Sequence, residues 1–243
     1  EDPNPLVRGR GFDYLSARGI RVDVGVGMAP AVALNQPFFT SIRKQRPFVI
    51  MKAAISLDGC LAEAPGLRTQ LTSEPANRHA HLARAEVDAL AVGVNTVLVD
   101  DPLLTPRGVF KELPLTRVIF DRTLRTPPSA TVLSTRQAGP VIIGTTAGGA
   151  ARERARLALQ ANGADILVTD GTIASALREL GALGVTSIVI EGGAELHAAA
   201  WEAGVVDFVS LYVAPHVMGP SGVRFLSGRE LPTWMLHQQR IEP

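Results

Sequence analysis

The feature that most constrains the fold is a regular alternation of short apolar runs with longer periodic segments, which begins at Pro47. Short, β-branched runs bounded by turn residues are typical of buried strands, and longer segments of helical period are typical of helices. We predict strands at Phe48–Ile55, Asp88–Gly93, Arg117–Asp121, Val141–Gly144, Asp165–Val168, Ser187–Ile190 and Phe208–Pro215. We predict helices at Glu74–Val87, Gly149–Asn162, Ile173–Leu183 and Ala194–Ala203. This alternation predicts a mostly parallel central sheet with helices on both faces, and the polar-apolar mixture of the last strand predicts an edge position.

The residues before Pro47 follow a less regular pattern. After a turn-rich lead-in we predict a short helix at Phe12–Arg18, a half-buried strand at Ile20–Val26 and a helix at Pro30–Lys44. A lone helix–strand unit of this kind resembles the last piece of a sheet whose remainder is missing.

The composition of the 243 residues excludes several classes of protein. With 46% hydrophobic residues the chain can bury a substantial core, while a net charge of +1 and 5% aromatic residues argue against a nucleic-acid partner. Cys60 is the single cysteine, which excludes a disulfide framework and a multi-cysteine zinc site. Neither a basic-then-apolar leader nor an apolar run of about 18 residues occurs, so we predict a soluble, cytoplasmic protein without a membrane partner.

A strand, two glycines and a helix follow one another in TSIVIEGGAELHAAAWEAG, from Thr186 to Gly204. Such a turn leaves backbone N–H groups at the helix start unpaired, and glycines let a ligand approach them closely. Because the helix dipole favours an anion there, the segment predicts a pyrophosphate site. An ordinary strand-to-helix turn is the alternative. Glu191 at the end of the strand favours the ligand, since open α/β sheets bind ligands at that edge.

Two basic residues stand in informative surroundings. Lys52 lies within the apolar strand VIMKAAISLDG, where a charge is unfavourable unless it reaches a ligand or a carboxylate. An edge lysine whose stem covers the surface is the alternative. Arg84 shares one helix face with Asn77 and His81, and such a face can hold a phosphate, although most faces of this kind are only solvated.

Further polar residues follow the strand that ends at Gly93. Thr96 can hydrogen-bond a ligand, and Asp100 could hold ribose hydroxyls or take part in proton transfer. Arg107 and Arg122 are candidate phosphate ligands because the planar guanidinium suits phosphate oxygens, with Arg122 placed for an adenosine 2′-phosphate. The charged residues also have an interpretation without a ligand: the acidic residues only form a turn before Pro102, and the arginines are only exposed at the surface.

No motif of hydrolytic or metal chemistry occurs. The sequence contains no HExxH motif, no lysine-bearing phosphate loop and no Ser-His-Asp order. His79 and His81 lie two residues apart in a predicted helix and therefore point in different directions, so we predict no metal site. An anion cradle, several arginines and scattered carboxylates suit a dinucleotide and a phosphorylated substrate better than hydrolysis.

Four sequence blocks resemble a known family. In order and spacing they resemble the reductase domain of the bifunctional riboflavin-biosynthesis deaminase/reductase, from about Pro47 to near Phe225. The blocks are KAAISLDG at Lys52–Gly59, GVNTVLVDDPLLTPR at Gly93–Arg107, VIFD at Val118–Asp121 and IEGGAEL at Ile190–Leu196.

The segment upstream of these blocks also resembles that protein. DPNPLVRGRG and the pair Leu34-Asn35 resemble the end of its deaminase domain and the following linker, without the zinc motifs of the deaminase. The resemblance thus implies a remnant of the deaminase-domain end plus a linker helix over residues 1–45, and a reductase domain over residues 46–243.

The resemblance implies a dihydrofolate-reductase-like fold, NADPH as cofactor and a homodimer. The implied substrate is 5-amino-6-(5-phosphoribosylamino)uracil, whose ribosyl group opens to an imine and is reduced to ribityl by hydride attack on the anomeric carbon. Matched residue by residue, the cofactor-contacting positions are Ala54, Gln70, Thr96, Asp100, Arg122, Gly192, Gly193, Ala194, Glu195 and Leu196. The substrate-contacting positions are Arg68, Arg84, Leu104, Arg107 and Glu191.

The resemblance also implies individual roles. We expect Arg84 and Arg107 to bind one substrate 5′-phosphate, and Glu191 to hydrogen-bond the uracil or ribityl part. Lys52 stands beside the nicotinamide end of the site. Lys52 and Asp100 are the candidate catalytic residues, acting by electrostatics or proton transfer on an aligned donor and acceptor.

Three residues depart from the family pattern. The family usually carries a basic residue at Cys60, a tryptophan at Gln70 that helps to enclose the cofactor, and a small polar residue at Arg68. These changes predict altered substrate preference or weaker activity. Two alternatives stay open: a dihydrofolate-type reductase, which needs a carboxylate facing the pterin from the first long helix, and a non-catalytic nucleotide-binding subunit.

Overall fold

The seven strands predicted after Pro47 form one sheet in the computed structural model, which describes residues 2–228. The strands are β1 (Phe48–Ser56), β2 (Cys60–Ala62), β3 (Ala89–Gly93), β4 (Thr116–Phe120), β5 (Val141–Thr146), β6 (Ala164–Thr169), β7 (Ser187–Ile190), β8 (Phe208–Ala214) and β9 (Val223–Arg224). The helices are α1 (Arg10–Ser16), α2 (Met28–Leu34), α3 (Gln36–Lys44), α4 (Glu74–Ala85), α5 (Val94–Asp100), α6 (Thr131–Ser134), α7 (Ala147–Ala150), α8 (Glu153–Ala161), α9 (Ile173–Ala182) and α10 (Ala194–Glu202). Short 3₁₀ turns cover Arg136–Ala138 and Phe225–Gly228.

Within residues 2–228 the sheet has seven strands, in the order β6-β5-β4-β3-β7-β1-β8. Every neighbouring pair in it is parallel, which confirms the predicted parallel sheet. β8 lies at an edge, as its composition predicts, while β2 and β9 form a separate antiparallel ribbon.

Alternating strand residues build two apolar cores, one on each face of the sheet, so the prediction of helices on both faces is confirmed. Along β1, Val49 and Met51 enter the core to which α9 and α10 contribute. Ile50 packs against the other core, to which α5, α6 and α8 contribute. Because side chains alternate along a strand, Lys52 and Ala54 share the face of Ile50.

The order of the connections creates a crevice between β3 and β7. The chain leaves β3 through α5 toward β4 on one side, and leaves β7 through α10 toward β8 on the other. Ligands of open α/β sheets bind where neighbouring strands send their connections in opposite directions. The Gly93 N–H donates to the Gly192 carbonyl over 2.7 Å and joins the two strand ends at this point.

Predictions outside the sheet need correction. Residues 20–26 form no strand, because no other strand in the described part of the chain pairs with them. The helix predicted over residues 30–44 is two helices, α2 and α3, because Pro37 lacks the N–H group that would continue the hydrogen bonds of α2. A new helix begins at Gln36, with Pro37 in its first turn. The helix predicted over residues 149–162 is likewise divided, into α7 and α8.

Candidate active site

A buried ion pair between Arg84 and Glu191 lies at the carboxyl end of β7. Arg84 Nε donates to Glu191 Oε1 over 2.7 Å, and Nη2 donates to Oε2 over 2.6 Å. The two side chains are only 17% and 10% exposed. A bidentate pair holds both side chains in one orientation. The structure thus joins two residues for which the sequence predicts separate contacts with the substrate.

Three elements converge to build this pair. Glu191 directly follows β7, and its N–H donates to the Ala91 carbonyl over 2.9 Å. Arg84 lies in the last turn of α4, and its Nη1 donates to the Thr105 carbonyl over 3.0 Å. β1 runs beside β7 and brings Lys52 close enough for its charge to act on Glu191.

Burial and neighbouring charges set the protonation of this cluster. Burial lowers the pKa of Lys52 from its ordinary 10.5, although the negative charge of Glu191 acts in the opposite direction. Burial alone would raise the pKa of Glu191, but the hydrogen bonds and charge of Arg84, with the charge of Lys52, hold it below its ordinary 4.5. A carboxylate is therefore fixed between two cations, and Lys52 gives up its proton more readily than a lysine in water.

Tyr212 and His79 complete the surroundings of Lys52, and neither is predicted as a site residue. The Tyr212 hydroxyl and His79 Nδ1 are 2.7 Å apart, and Lys52 Nζ lies 5.1 Å from the centre of the Tyr212 ring. The register of β1 with β8 pairs Ala54 with Tyr212, which places Tyr212 on the face that carries Lys52. Only that strand pairing reveals the contact, since the residues are far apart in sequence.

The loop after α5 supplies the outer part of the site. Arg107 is exposed, and its backbone N–H donates to His81 Nδ1 over 3.1 Å. Burial, followed by the charges of Arg84 and Arg107, lowers the pKa of His81. Leu104, a predicted substrate contact, is buried in the core under this loop. Of the two predicted phosphate ligands, Arg107 is the exposed one, whereas Arg84 is held by Glu191.

The glycine turn, Glu191 to Gly193, connects β7 with α10. Gly192 has a φ of 131°, which residues with a Cβ rarely adopt, and the Gly192–Gly193 peptide bond is cis. Gly193 is the N-cap residue of α10 and has no side chain with which to cap this end of the helix. The N–H groups of the first turn are therefore left for a ligand or water. They belong to Ala194, Glu195 and Leu196.

We expect Gly192→Ala to weaken dinucleotide binding, because alanine is strained at the φ of Gly192 and would distort the turn. Strain of this kind costs about 1–3 kcal/mol, or about 30-fold in affinity at the middle of that range. Gly204→Ala is the matched control: Gly204 also has a positive φ, 62°, with no atom within 4 Å of an added Cβ, but it follows the other end of α10. Calorimetric titration with NADPH measures both affinities, and equal affinities for the two variants would contradict the prediction.

Asp100 and Thr96 fit the predicted dinucleotide on chemical grounds. Asp100 Oδ1 is buried and has no hydrogen-bond partner among residues 2–228, so it can accept a bond from a ligand hydroxyl or amide. Burial raises the pKa of Asp100, and the charge of Arg68 opposes this rise. Thr96 Oγ1 lies 3.5 Å from the position of a Cβ added to Gly193. An acceptor and a hydroxyl beside an open glycine turn suit the sugar, amide and phosphate groups of a dinucleotide.

The remaining predicted contacts lie on other elements of the fold. Arg122 follows β4, two strands or about 10 Å from β7, and its Nη2 is 3.3 Å from the position of a Cβ added to Gly171. Arg68 and Gln70 are exposed in the segment between β2 and α4. Ala54 lies on β1, two residues beyond Lys52. A dinucleotide reaching Arg122 from the glycine turn would have to cross the end of β3.

His197 is a buried residue behind the glycine turn, and the sequence pattern does not single it out. Its side chain is 0% exposed, and burial lowers its pKa from the ordinary 6.5 to about 4. The folded protein therefore keeps His197 neutral down to about pH 4, whereas the unfolded chain binds a proton there below about pH 6.5.

This difference predicts a loss of stability in acid. Between about pH 6.5 and pH 4 unfolding takes up a proton on His197, so the free energy of unfolding falls as the pH falls, by up to about 3 kcal/mol. The stability that depends on neutral His197 is fully present above pH 6.5. Urea unfolding of the wild type and of His197→Gln across this range measures it. The variant should lose less stability in acid, and equal losses would contradict the assignment.

The described residues contain neither a metal-binding cluster nor a membrane-spanning helix. Between residues 2 and 228, no group of three or more His, Cys, Asp or Glu side chains is arranged to hold a metal ion. No helix there is long and apolar enough to cross a bilayer. Cys60, one of the departures from the family pattern, is buried as a free thiol.

Known proteins resemble this chain over most of its length. Residues 47–242 match the family model of the RibD C-terminal domain. The riboflavin biosynthesis protein RibD of Aquifex aeolicus is 38% identical over 219 residues, which are 90% of this chain and 60% of that protein. The 2,5-diamino-6-ribosylamino-4(3H)-pyrimidinone 5′-phosphate reductase of Methanothermobacter thermautotrophicus is 35% identical over 204 residues, 81% of this chain and 91% of that protein. The chain spans about 60% of the length of the first RibD relatives.

Solved structures show the same relationship. Acinetobacter baumannii RibD superposes with a TM-score of 0.82 and 31% identity, over 98% of this chain and 65% of that chain. The deaminase/reductase of Thermotoga maritima gives a TM-score of 0.79 and 29% identity, over 95% of this chain and 62% of that chain. These neighbours have the dihydrofolate-reductase-like fold, which confirms the predicted fold class. The matched model, the sequence identities and the fold agree, and the chain belongs to the RibD C-terminal domain family.

Proposed function

We propose that this chain reduces the ribosyl group of 5-amino-6-(5-phosphoribosylamino)uracil to the ribityl product of riboflavin biosynthesis, with NADPH as the hydride donor. The observation that carries the proposal is the buried Lys52–Arg84–Glu191 cluster beside an uncapped glycine turn, in a member of the RibD C-terminal domain family. The related protein of Thermotoga maritima is named as a reductase of this uracil compound.

The two ligands have separate contacts in this proposal. NADPH, when bound, supplies the hydride. The glycine turn and the first turn of α10 bind its pyrophosphate, Thr96 and Asp100 bind its sugar or amide groups, and Arg122 binds the 2′-phosphate. Arg107 binds the substrate phosphate at the exposed end of the site. Arg84 acts on the substrate mainly by holding Glu191, because its Nε and Nη2 are directed at that carboxylate.

Lys52 handles the proton that the reduction requires. Hydride addition to the imine carbon leaves an electron pair on the imine nitrogen, which must then take up one proton. Burial lowers the pKa of the Lys52 ammonium, which suits it to supply this proton, and Glu191 keeps it charged until then. Asp100, whose pKa burial raises, is the second candidate for this step.

Two other activities are weighed against this one. The relative from Methanothermobacter thermautotrophicus is named for a 2,5-diaminopyrimidinone substrate, which makes that compound the second candidate. A dihydrofolate-type reductase is disfavoured because Glu74 and Glu86, the carboxylates of α4 and its C-cap, are exposed while Arg84 faces the site.

An assay of NADPH oxidation tests the proposal. The chain is supplied in turn with the uracil phosphate, the diaminopyrimidinone phosphate and dihydrofolate, and each reaction is repeated with NADH. We expect the highest kcat/KM with the uracil compound and NADPH. Faster reduction of either other compound would replace the substrate. Failure to oxidise NADPH with all three would favour a non-catalytic nucleotide-binding subunit.

The same proposal includes the setting of the enzyme. It acts as a homodimer in the cytoplasm, on a small phosphorylated substrate rather than on nucleic acid, with residues 1–45 as the end of a deaminase domain and its linker. Light scattering of the purified chain at several concentrations measures the oligomeric state.

A further inference from the structure

The His197 ring lies against the inner side of the glycine turn. A Cβ added to Gly192 would lie 3.6 Å from His197 Cε1, so the ring forms the floor beneath that glycine. On its other side the ring meets Phe225 edge-on, with centroids 5.5 Å apart and planes at 73°. The imidazole therefore fills the space between the turn, α10 and the 3₁₀ turn at Phe225–Gly228.

His197 hydrogen-bonds to the last residue before the glycine turn and to the last residue within it. The His197 backbone N–H donates to the Gly193 carbonyl over 3.1 Å, and ring Nε2 lies 3.2 Å from the Ile190 carbonyl. Because a carbonyl only accepts, Nε2 carries the ring proton and donates. Ile190 is the last residue of β7, so the two bonds fix the residues on either side of Glu191 and Gly192.

Packing does not explain why a histidine occupies position 197, because its imidazole buries a polar atom. Nδ1 is buried and has no partner within the described part of the chain, and an unsatisfied buried acceptor destabilises a fold. An apolar side chain of similar size would fill the space without that loss. What the imidazole adds is the donor directed at Ile190.

We propose that His197 is a positioning residue that fixes the glycine turn from beneath and thereby sets the affinity for the dinucleotide. This inference rests on the proposed function, since it concerns the pyrophosphate contacts of NADPH. His197 touches no reacting atom and acts through Gly192 and Gly193.

Two variants of similar length separate the hydrogen bond from the packing. His197→Gln keeps an N–H donor that can reach the Ile190 carbonyl, and His197→Met lacks one. In calorimetric titration of the full chain with NADPH, we expect the methionine variant to bind about tenfold more weakly than the wild type, as for the loss of one well-placed hydrogen bond. The glutamine variant should bind within about threefold of the wild type, and the methionine variant should be at least as stable to heat.

Steady-state kinetics should also distinguish the methionine variant from the wild type. The KM for NADPH should rise in the methionine variant while kcat at saturating NADPH stays within about threefold, because the alignment of substrate groups is unchanged. Equal NADPH affinity for all three proteins, or equal weakening by glutamine and methionine, would overturn the inference and leave the proposed function standing. A wild-type chain that binds no NADPH would overturn the proposed function itself. Should the methionine variant fail to fold, His197→Leu takes its place under the same criteria.

Discussion

Glu191→Ala is expected to lower the free energy of unfolding by about 3–5 kcal/mol, because it leaves the buried Arg84 guanidinium without its carboxylate. The loss is large since two donors of Arg84 point at Glu191 from inside the fold, over 2.7 and 2.6 Å. The pKa of Lys52 should fall further in the same variant, because the negative charge of Glu191 partly offsets the lowering caused by burial. Urea unfolding measures the stability, and the NADPH-oxidation assay should show no turnover.

A double variant separates stability from function at this pair. Arg84→Met with Glu191→Leu removes both charges together, and replacing a buried ion pair by apolar side chains is often neutral or stabilising. We expect it to regain most of the stability lost in Glu191→Ala but none of the turnover, because the site still lacks its carboxylate.

Asp23→Ala is the control for Glu191→Ala, because it removes a carboxylate from a surface ion pair. It breaks the pair with Arg21, whose side chain is 88% exposed, and should change the free energy of unfolding by less than about 1 kcal/mol. If Glu191→Ala were as mild as Asp23→Ala, the pair with Arg84 would not be a stabilising element of the site.

Lys52→Met is expected to lower kcat by about 10²-fold or more, the usual effect of removing a group that transfers a proton or stabilises developing charge. Stability should be unchanged or higher, since methionine fills a similar volume without a buried charge. Lys52→Ala and Asp100→Ala should likewise depress turnover more than substrate affinity. Steady-state kinetics with each variant separates kcat from the KM of the substrate.

A lysine of α3 provides the matched control. Lys44 contacts Asp207 over 2.8 Å and lies outside the cluster, so Lys44→Met should leave kcat within about twofold, as surface substitutions away from the site usually do. Unchanged turnover in both Lys52→Ala and Asp100→Ala would discard their assignment as catalytic residues.

Most strands of the sheet are predictable because they contain a short apolar run, the pattern that burial on both faces imposes, whereas β8 at the edge is marked by its mixture of polar and apolar residues. Ser187–Ile190 is buried at all four positions, and the sequence predicts its bounds without error. Helix α5 is not predicted, since its seven residues are too short and too β-branched for a clear helical period. The strand predicted over residues 20–26 is wrong, because an alternating pattern forms a strand only where a neighbouring strand is available to pair with it.

Some residues of the candidate site can also be predicted from sequence, whereas the contacts between them cannot. Lys52 and Glu191 can be singled out from sequence because each places a charge beside an apolar or glycine-rich segment. Arg84 can be singled out because it shares a helix face with Asn77 and His81 and matches a substrate-contacting position of the family. The bidentate bond between Arg84 and Glu191 cannot, since it depends on how α4 lies over the sheet. Tyr212 and His197 are hidden for a similar reason: an apolar strand and a helix of small residues give no sign that a ring within them faces a site.

The placement of β7 between β3 and β1 has a consequence for how the chain is made. β1 leaves the ribosome about 130 residues, and β3 about 95 residues, before the strand that must lie between them. Each therefore has an apolar edge open to other chains in the meantime. Pairings of such long sequence separation also slow folding. The Lys52 and Arg84 side chains therefore meet their carboxylate only when β7 and Glu191 have been synthesised and inserted, and a chain truncated before Ser187 would be prone to aggregate rather than to fold in part.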